Sequence, residues 1–313
     1  MVQVIKDYGS PIKWNIGSLF AHDKYIWDLI DVIKDIGYEN PISYVFGSIP
    51  CLFQGGRIPP RDAKVESALS ILDEYNKRDV GCRLTFSNMF ISETDLKDIL
   101  SNKLLSHLNN SEYNVKNGVI VASDLLAKYI RDTYPNLELI ASQVKPSCEV
   151  GLGPDDNNDT VEYYNKLFDT YDIVVVNPFK VQDGGFINSI KYPERVEFIA
   201  NHRCVPNCPM SKLHYETQMR LGMGLLYGEN IEQYEKTLSE IHRECIKVKS
   251  SYPLAGTTLS QSEIENLVRL GFINFKLEGR DNSGECFIRD IGDYIFIPYL
   301  YQRISASIMQ GVV

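Results

Sequence analysis

The 313-residue chain is short of positive charge: 32 lysines and arginines face 41 aspartates and glutamates, for a formal net charge of −9. A general nucleic-acid binder needs a basic face, so this balance argues against one. No apolar run approaches the length that spans a bilayer, and no membrane partner is expected. Met1 to Ser10 lacks a basic segment followed by an apolar stretch, which leaves no secretory leader to read there and makes a cytoplasmic location the expectation. Several chemical signatures are also missing. No glycine-rich dinucleotide fingerprint follows the first apolar run, and there is no P-loop, no H-E-x-x-H and no nucleophile elbow. Histidine is scarce, at five residues. His22, His107 and His242 are isolated and read as surface groups. His214 with Glu216 reads as a solvated helix face or as the completion of a metal site. No repeat, low-complexity tract or linker divides the chain, so a single domain over 1–313 is expected.

What is present is an alternation of short apolar runs with amphipathic stretches. The runs are Lys13 to Phe20, Ile42 to Gly47, Gly81 to Phe86, Gly118 to Ala122, Leu137 to Ala141, Ile173 to Val176, Val196 to Ala200 and Ile273 to Leu277. Between them, helical spacing recurs over Tyr25 to Ile36, Ala63 to Tyr75, Thr94 to Leu105 (capped by Thr94 or Ser92), a segment capped by Ser123 and running to Tyr134, and Thr160 to Phe168. Strands alternating with helices imply parallel units, and eight units close most simply into a (β/α)8 TIM-like barrel. An open doubly wound sheet is the rival, weakened by the missing fingerprint. The interval from Cys204 to Gly271 is too long for one unit. An insertion or lid is expected after the seventh strand, at 210–260, with a charged helix over Ile231 to Val248.

In such a barrel the strand C-terminal ends face the substrate. The residues there are Ser87 and Asn88, Ser123 and Asp124, Ser142 and Gln143, Asn177, Asn201 and His202, then Glu278 and Arg280. Ser123, Asp124 and Asn177 read as helix caps. Asn88, Asn201 and His202 read either as caps or as groups lining a pocket. On the last strand Lys276 and Glu278 share one face and Leu277 takes the other. Glu278 at the mouth suits a general base or an amine or metal ligand, and Arg280 suits a carboxylate or phosphate. The alternative is an ion network of Lys276, Glu278 and Arg280 that ties the barrel shut. Asp155 to Asp159 form a polar loop, with Ca²⁺ binding as the other reading.

The seven cysteines are an odd set, read as thiols or metal ligands before disulfides. Cys204 and Cys208 form C-x3-C in a turn held by Pro206 and Pro209, directly after the seventh strand. Cys51 follows the second strand and Cys148 the fifth, so the barrel places all four on one face. Four thiolates suit zinc or an iron–sulfur cluster. The alternative is that they are buried thiols acting as small hydrophobes, the reading given to Cys82, Cys245 and Cys286. Ser211 stands where a radical-SAM third cysteine would be. Cys204 with His202 or His214 is the pairing a thiol protease would need.

Three segments resemble the collagenase-like peptidase family. Asn274 to Arg280 resembles its K-[IL]-E-G-R segment. Val196 to Cys204 resembles its V-E-V-F-x-H-G strand leading into a cysteine-bearing loop, with Arg203 where the family has glycine. Tyr44 to Gly47 is similar to its V-Y-x-G. Members of that family include oxygen-independent hydroxylation proteins of ubiquinone synthesis and proteins that modify tRNA. In the ubiquinone group a four-cysteine iron–sulfur cluster is expected, with one ligand after the second strand and three after the seventh. By position Cys51, Cys204 and Cys208 match. The fourth is missing from the shorter seventh-strand loop, and Cys148 or an open iron takes its place. The resemblance implies a metal- or iron–sulfur-dependent enzyme performing redox, hydroxylation-type modification of a small or tethered substrate. Glu278, Arg280 and His202 would be the catalytic groups, and Asn88, Asn201 and Lys276 would bind substrate. A hydrolase using the same face is the alternative, and a non-catalytic accessory protein with a protein partner is the third reading.

Overall fold

Each apolar run becomes a short strand, and each amphipathic stretch a helix covering it. In a computed structural model, residues 5–55, 65–150, 160–202, 204, 208–250, 257–279 and 284–297 are described. The chain runs β1 (Lys13–Ile16), α1 (Asp23–Asp35), β2 (Ile42–Gly47), α2 (Val65–Asn76), β3 (Gly81–Phe86), α3 (Ile99–Asn109), β4 (Gly118–Val121) and α4 (Asp124–Thr133). It continues through β5 (Glu138–Ala141), α5 (Val144–Glu149), α6 (Val161–Leu167), β6 (Ile173–Val175), α7 (Gly184–Ser189), β7 (Val196–Ile199) and β8 (Asn201–His202). Then come α8 (Ser211–Tyr227), α9 (Glu232–Ser250), β9 (Thr257–Thr258), α10 (Gln261–Arg269), β10 (Asn274–Leu277) and α11 (Gly284–Ile295). Strands β1 to β7 and β10 close a parallel barrel in the order β1-β10-β7-β6-β5-β4-β3-β2. The expected (β/α)8 barrel is therefore formed. Among the described residues no helix is long and apolar enough to cross a membrane.

Strand alternation divides the core in two. Outward-facing residues such as Trp14, Ile16, Phe198, Phe275 and Leu277 pack under the helices. Inside, Ile120, Ile140, Ile173, Val175 and Ile199 form a separate cluster with Phe46. The lumen also carries charge. Arg83 of β3 reaches Glu197 of β7 and Glu138 of β5, each at 2.7 Å. Its guanidinium lies 3.7 Å from the centroid of the Tyr44 ring, and Asn15 of β1 donates to both Glu197 oxygens. Lys276 points into this lumen, 3.9 Å from Glu197 and 3.8 Å from the Phe46 ring centroid.

Several boundaries differ from the sequence reading. The first strand stops at Ile16 and does not extend to Phe20. Gly17 lies so close to the Gly279 backbone that a Cβ would sit 2.4 Å from the Gly279 nitrogen, and Ser18 then turns the chain at φ 70°. Neither Thr94 nor Ser92 caps α3; the Asp98 carboxylate does, accepting from Ser101 N–H. Ser123 caps α4 as read, Thr160 caps α6, and Asn177 caps a short 3-10 turn.

The insertion after β7 is a pair of helices, of which only the charged α9 was expected. Its partner α8 lies over the C-terminal ends of β3, β4 and β5. Met219 packs on Ala122, Val144 and Cys148, and its sulfur accepts from Met89 N–H at 3.3 Å. Tyr215 Oη donates to Gln143 at 3.0 Å, and Arg220 sits 4.1 Å from the Phe90 ring centroid. β8 and β9 pair antiparallel beside the barrel, at the two ends of this insertion.

Candidate functional site

The ends of β7 and β10 lie side by side because the two strands pair in the barrel. The apolar run of β7 passes through Ala200 into Asn201 and His202, and that of β10 ends at Glu278. Asn201 fastens the two. Its amide donates to the Glu278 carbonyl at 3.0 Å, and its oxygen accepts from Glu278 N–H at 2.7 Å. The amide also donates to Asp290 of α11 at 2.7 Å. Asn201 thus binds main chain and helix, and its role is to hold Glu278 in place.

Glu278 then meets His202, with Nδ1 to Oε2 at 3.3 Å. Both side chains are nearly buried, at 4% and 12% exposure, so little water screens the pair. The Phe179 ring lies edge-on to the imidazole, with centroids 6.1 Å apart. On the far side His202 is hydrogen-bonded to Cys204, which is in turn hydrogen-bonded to Cys208. Burial acts to lower the His202 pKa, but its bonds to Cys204 and Glu278 outweigh that and raise it to about 9. The Cys204 thiol is pushed up to about 12, first by Cys208 and then by burial, against the pull of His202. At neutral pH the group therefore holds a thiol, an imidazolium and a carboxylate in succession.

The other sequence candidates lie elsewhere. Cys51 is 2% exposed and packed in the main core; burial raises its thiol pKa, against the lowering effect of hydrogen bonds with Ser101, the Gln54 backbone and Ser48. Cys148 sits under α8 beside Met219, its thiol pushed up to about 12 by burial. Among the described residues, no three His, Cys, Asp or Glu side chains converge as metal ligands. Among the described residues the donors do not fit the four-cysteine centre that the resemblance implies. Asn88 is fully buried. Its amide donates to Leu52 O at 2.8 Å and its oxygen accepts from Phe90 N–H, so it pins two loops together rather than facing a ligand. Lys276 lies below the mouth, inside the lumen. Arg280 and Asp155 to Asp159 lie outside the described residues, as does the Cys286 side chain. Cys82 is buried against Leu72 and Asn76. His107 pairs with Asp73, and His214 packs against Tyr215 and His242.

Two features escaped the sequence reading. Asp290 gave no signal, since no helix was expected over Gly284–Ile295. Arg83 and Glu197 did give one: each is a charge in the middle of an apolar run, where a barrel strand has both faces buried.

No protein-family model matches the chain, and no curated protein matches it in sequence. The solved structure of the U32 peptidase Mk0906 is similar, with a TM-score of 0.53 and 13% identity over 90% of this chain and 98% of that one. At that identity the likeness concerns the fold and not the chemistry. In fold, then, the chain is similar to a U32 peptidase, the collagenase-like group that its β2, β7 and β10 segments resemble.

Proposed function

We propose that the chain is a thiol-dependent hydrolase acting at the mouth of the barrel on an amide or ester of a small or tethered substrate. One observation carries the reading: Cys204, His202 and Glu278 stand in hydrogen-bonded succession at the ends of adjacent strands. That is the order a nucleophile, a base and an orienting carboxylate require. Cys204 attacks the carbonyl, neutral His202 takes its proton and returns it to the leaving group, and Glu278 stabilises the imidazolium in between. The fold likeness to a protein named as a peptidase agrees with this reading.

The test is hydrolysis of a panel of peptide and ester substrates by the wild type, Cys204→Ser and His202→Gln. Loss of turnover in both variants, with unchanged circular dichroism, supports the proposal. Turnover that survives Cys204→Ser overturns it. The second reading is the redox enzyme, favoured by the two adjacent thiols at the mouth. Iron with acid-labile sulfide in anaerobically purified protein, lost on Cys204→Ser, would establish that reading in place of the hydrolase. Stoichiometric zinc lost in the same variant would make the thiols ligands.

A further inference from the structure

The ladder between β7 and β10 does not stop where the strands do. Lys276 faces Ile199 in the barrel register, and Ala200 N–H donates to the Lys276 carbonyl. One step on, the Asn201 side chain takes over. It offers Glu278 a donor for its carbonyl at 3.0 Å and an acceptor for its N–H at 2.7 Å, the pair that a neighbouring strand would offer. The main chain of Asn201 is engaged elsewhere, opposite Thr258 of β9. The place of Glu278 therefore rests on a side-chain amide, which can turn and shift as a strand cannot. Asp290 of α11 holds that amide, its Oδ2 accepting from the Asn201 nitrogen at 2.7 Å. A carboxylate only accepts, so it keeps the amide nitrogen and cannot pair with the oxygen of a reversed amide. The helix that carries Asp290 is itself fixed. Ile291 and Ile295 are fully buried, and one turn beyond Asp290 the Tyr294 hydroxyl donates to the Ala200 carbonyl at 2.9 Å. Asp290 is only 8% exposed, and a carboxylate is costly to bury unless it is paired.

We propose that Asp290 is a positioning residue of the mouth: through the Asn201 amide it fixes the Glu278 main chain, and with it the carboxylate that meets His202 at 3.3 Å. It acts from the helix layer, through Asn201. Without the accepting oxygen at 290, the amide and the Glu278 segment it holds lose their fixed point, and the Glu278 carboxylate no longer stands at one distance from the imidazole. The effect on turnover rests on the thiol-hydrolase reading; the effect on the Glu278 main chain does not.

The experiment compares the full chain with Asp290→Ala and Asp290→Asn, by amide hydrogen exchange resolved to Glu278 and by steady-state hydrolysis. Alanine removes the acceptor, whereas asparagine keeps an accepting oxygen and removes the charge. In Asp290→Ala the Glu278 N–H should exchange at least about tenfold faster, while Val119 of β4 and Leu139 of β5 keep their protection. Asp290→Asn should restore most of the Glu278 protection. Turnover should follow: kcat falls by roughly tenfold to a hundredfold in Asp290→Ala, with KM little changed, and recovers in Asp290→Asn. Should Asp290→Ala not fold, Asp290→Leu tests the same loss with the space filled. Unchanged Glu278 exchange in the alanine variant overturns the proposal. Equal effects of alanine and asparagine also overturn it, since the charge and not the hydrogen bond would then be felt at the mouth. So does a uniform rise in exchange that includes Val119 and Leu139, which would make Asp290 a brace for the whole barrel. Glu278 exchange as fast in the wild type as in an unstructured chain overturns it without any variant. Exchange that quickens in Asp290→Ala and is restored in Asp290→Asn, in a protein whose turnover survives Cys204→Ser, upholds the positioning role and overturns the hydrolase reading alone.

Discussion

His202 is a buried imidazole whose proton is held by its neighbours, and pH is the variable that exposes this. With a pKa raised to about 9, its contribution to stability is fully present below the unfolded value near 6.5 and is lost as pH rises through about 9. Glu278→Gln removes the carboxylate at 3.3 Å. Its His202 resonances should titrate at lower pH than in the wild type, as followed by nuclear magnetic resonance. The urea midpoint of the wild type should fall toward that of the variant between about pH 6 and about pH 10. Equal pH dependence in the two proteins would break the assignment. Under the thiol-hydrolase proposal catalysis runs the other way: neutral His202 would be the base, so kcat/KM for hydrolysis should climb with pH to a plateau above about 9. Asn201 is tested through stability. Its replacement by Ala strips three hydrogen bonds from buried partners and should cost about 2–4 kcal/mol in urea unfolding, on the scale of roughly 1–3 kcal/mol per orphaned group.

At the level of elements, α8 is the piece that the sequence concealed. Its run Ser211–Tyr227 carries Gly222 and Gly224 in the interior, each a weak helix former, and its apolar residues do not fall on one clean stripe. The helix is held by what lies beneath it. Met219, 1% exposed, should be the anchor, and Met219→Ala should cost about 2–5 kcal/mol of local stability. Hydrogen exchange should quicken in α8 while the barrel strands keep their protection. Uniform quickening across the chain would show that α8 is part of the barrel's own cooperative unit. Two helices with short polar residues at their starts were legible, and Ser123 and Thr160 have the side chains that caps require. α10 was not read, although Ser260 with Glu263 completes a capping box there. At α3 the signal was ambiguous, since Ser92, Thr94 and Asp98 are all competent caps. Ser92 is hydrogen-bonded to Thr94 and Asp95 instead, and Asp98 takes the cap.

Over the whole molecule, the barrel was readable because eight apolar runs at regular spacing admit few other arrangements. What lies inside it was not. Period-two alternation states which residues share a face, but it does not say that the face with Asn15, Arg83, Glu197 and Lys276 is the lumen. Nor does it reveal that charges from β3, β5 and β7 meet there. The candidate site was legible in part: Asn201, His202 and Glu278 were named from their places at strand ends, and Cys204 from its spacing to Cys208. Cys51 and Cys148 also follow strand ends, but their thiols are buried among apolar side chains, which strand position alone does not reveal. The lumen pair has a consequence for global stability. Arg83→Met leaves Glu197 buried at 0% exposure without its cation, and should lower stability by about 3–5 kcal/mol in thermal and urea unfolding. A loss below about 1 kcal/mol would mean that Lys276 and Asn15 suffice to hold the carboxylate.

The β8–β9 pairing bears on how such a protein can diversify. The α8–α9 hairpin departs just after His202 and returns at Thr257, and those two residues are paired across the small sheet. Its point of exit and its point of return are therefore neighbours. A segment joined to its host at a single doorway behaves as a cassette. Lineages can lengthen, shorten or exchange it without disturbing the register of the eight barrel strands. Variation in what is held over the mouth would then accumulate in the hairpin, while the ends of β7 and β10 keep their pairing.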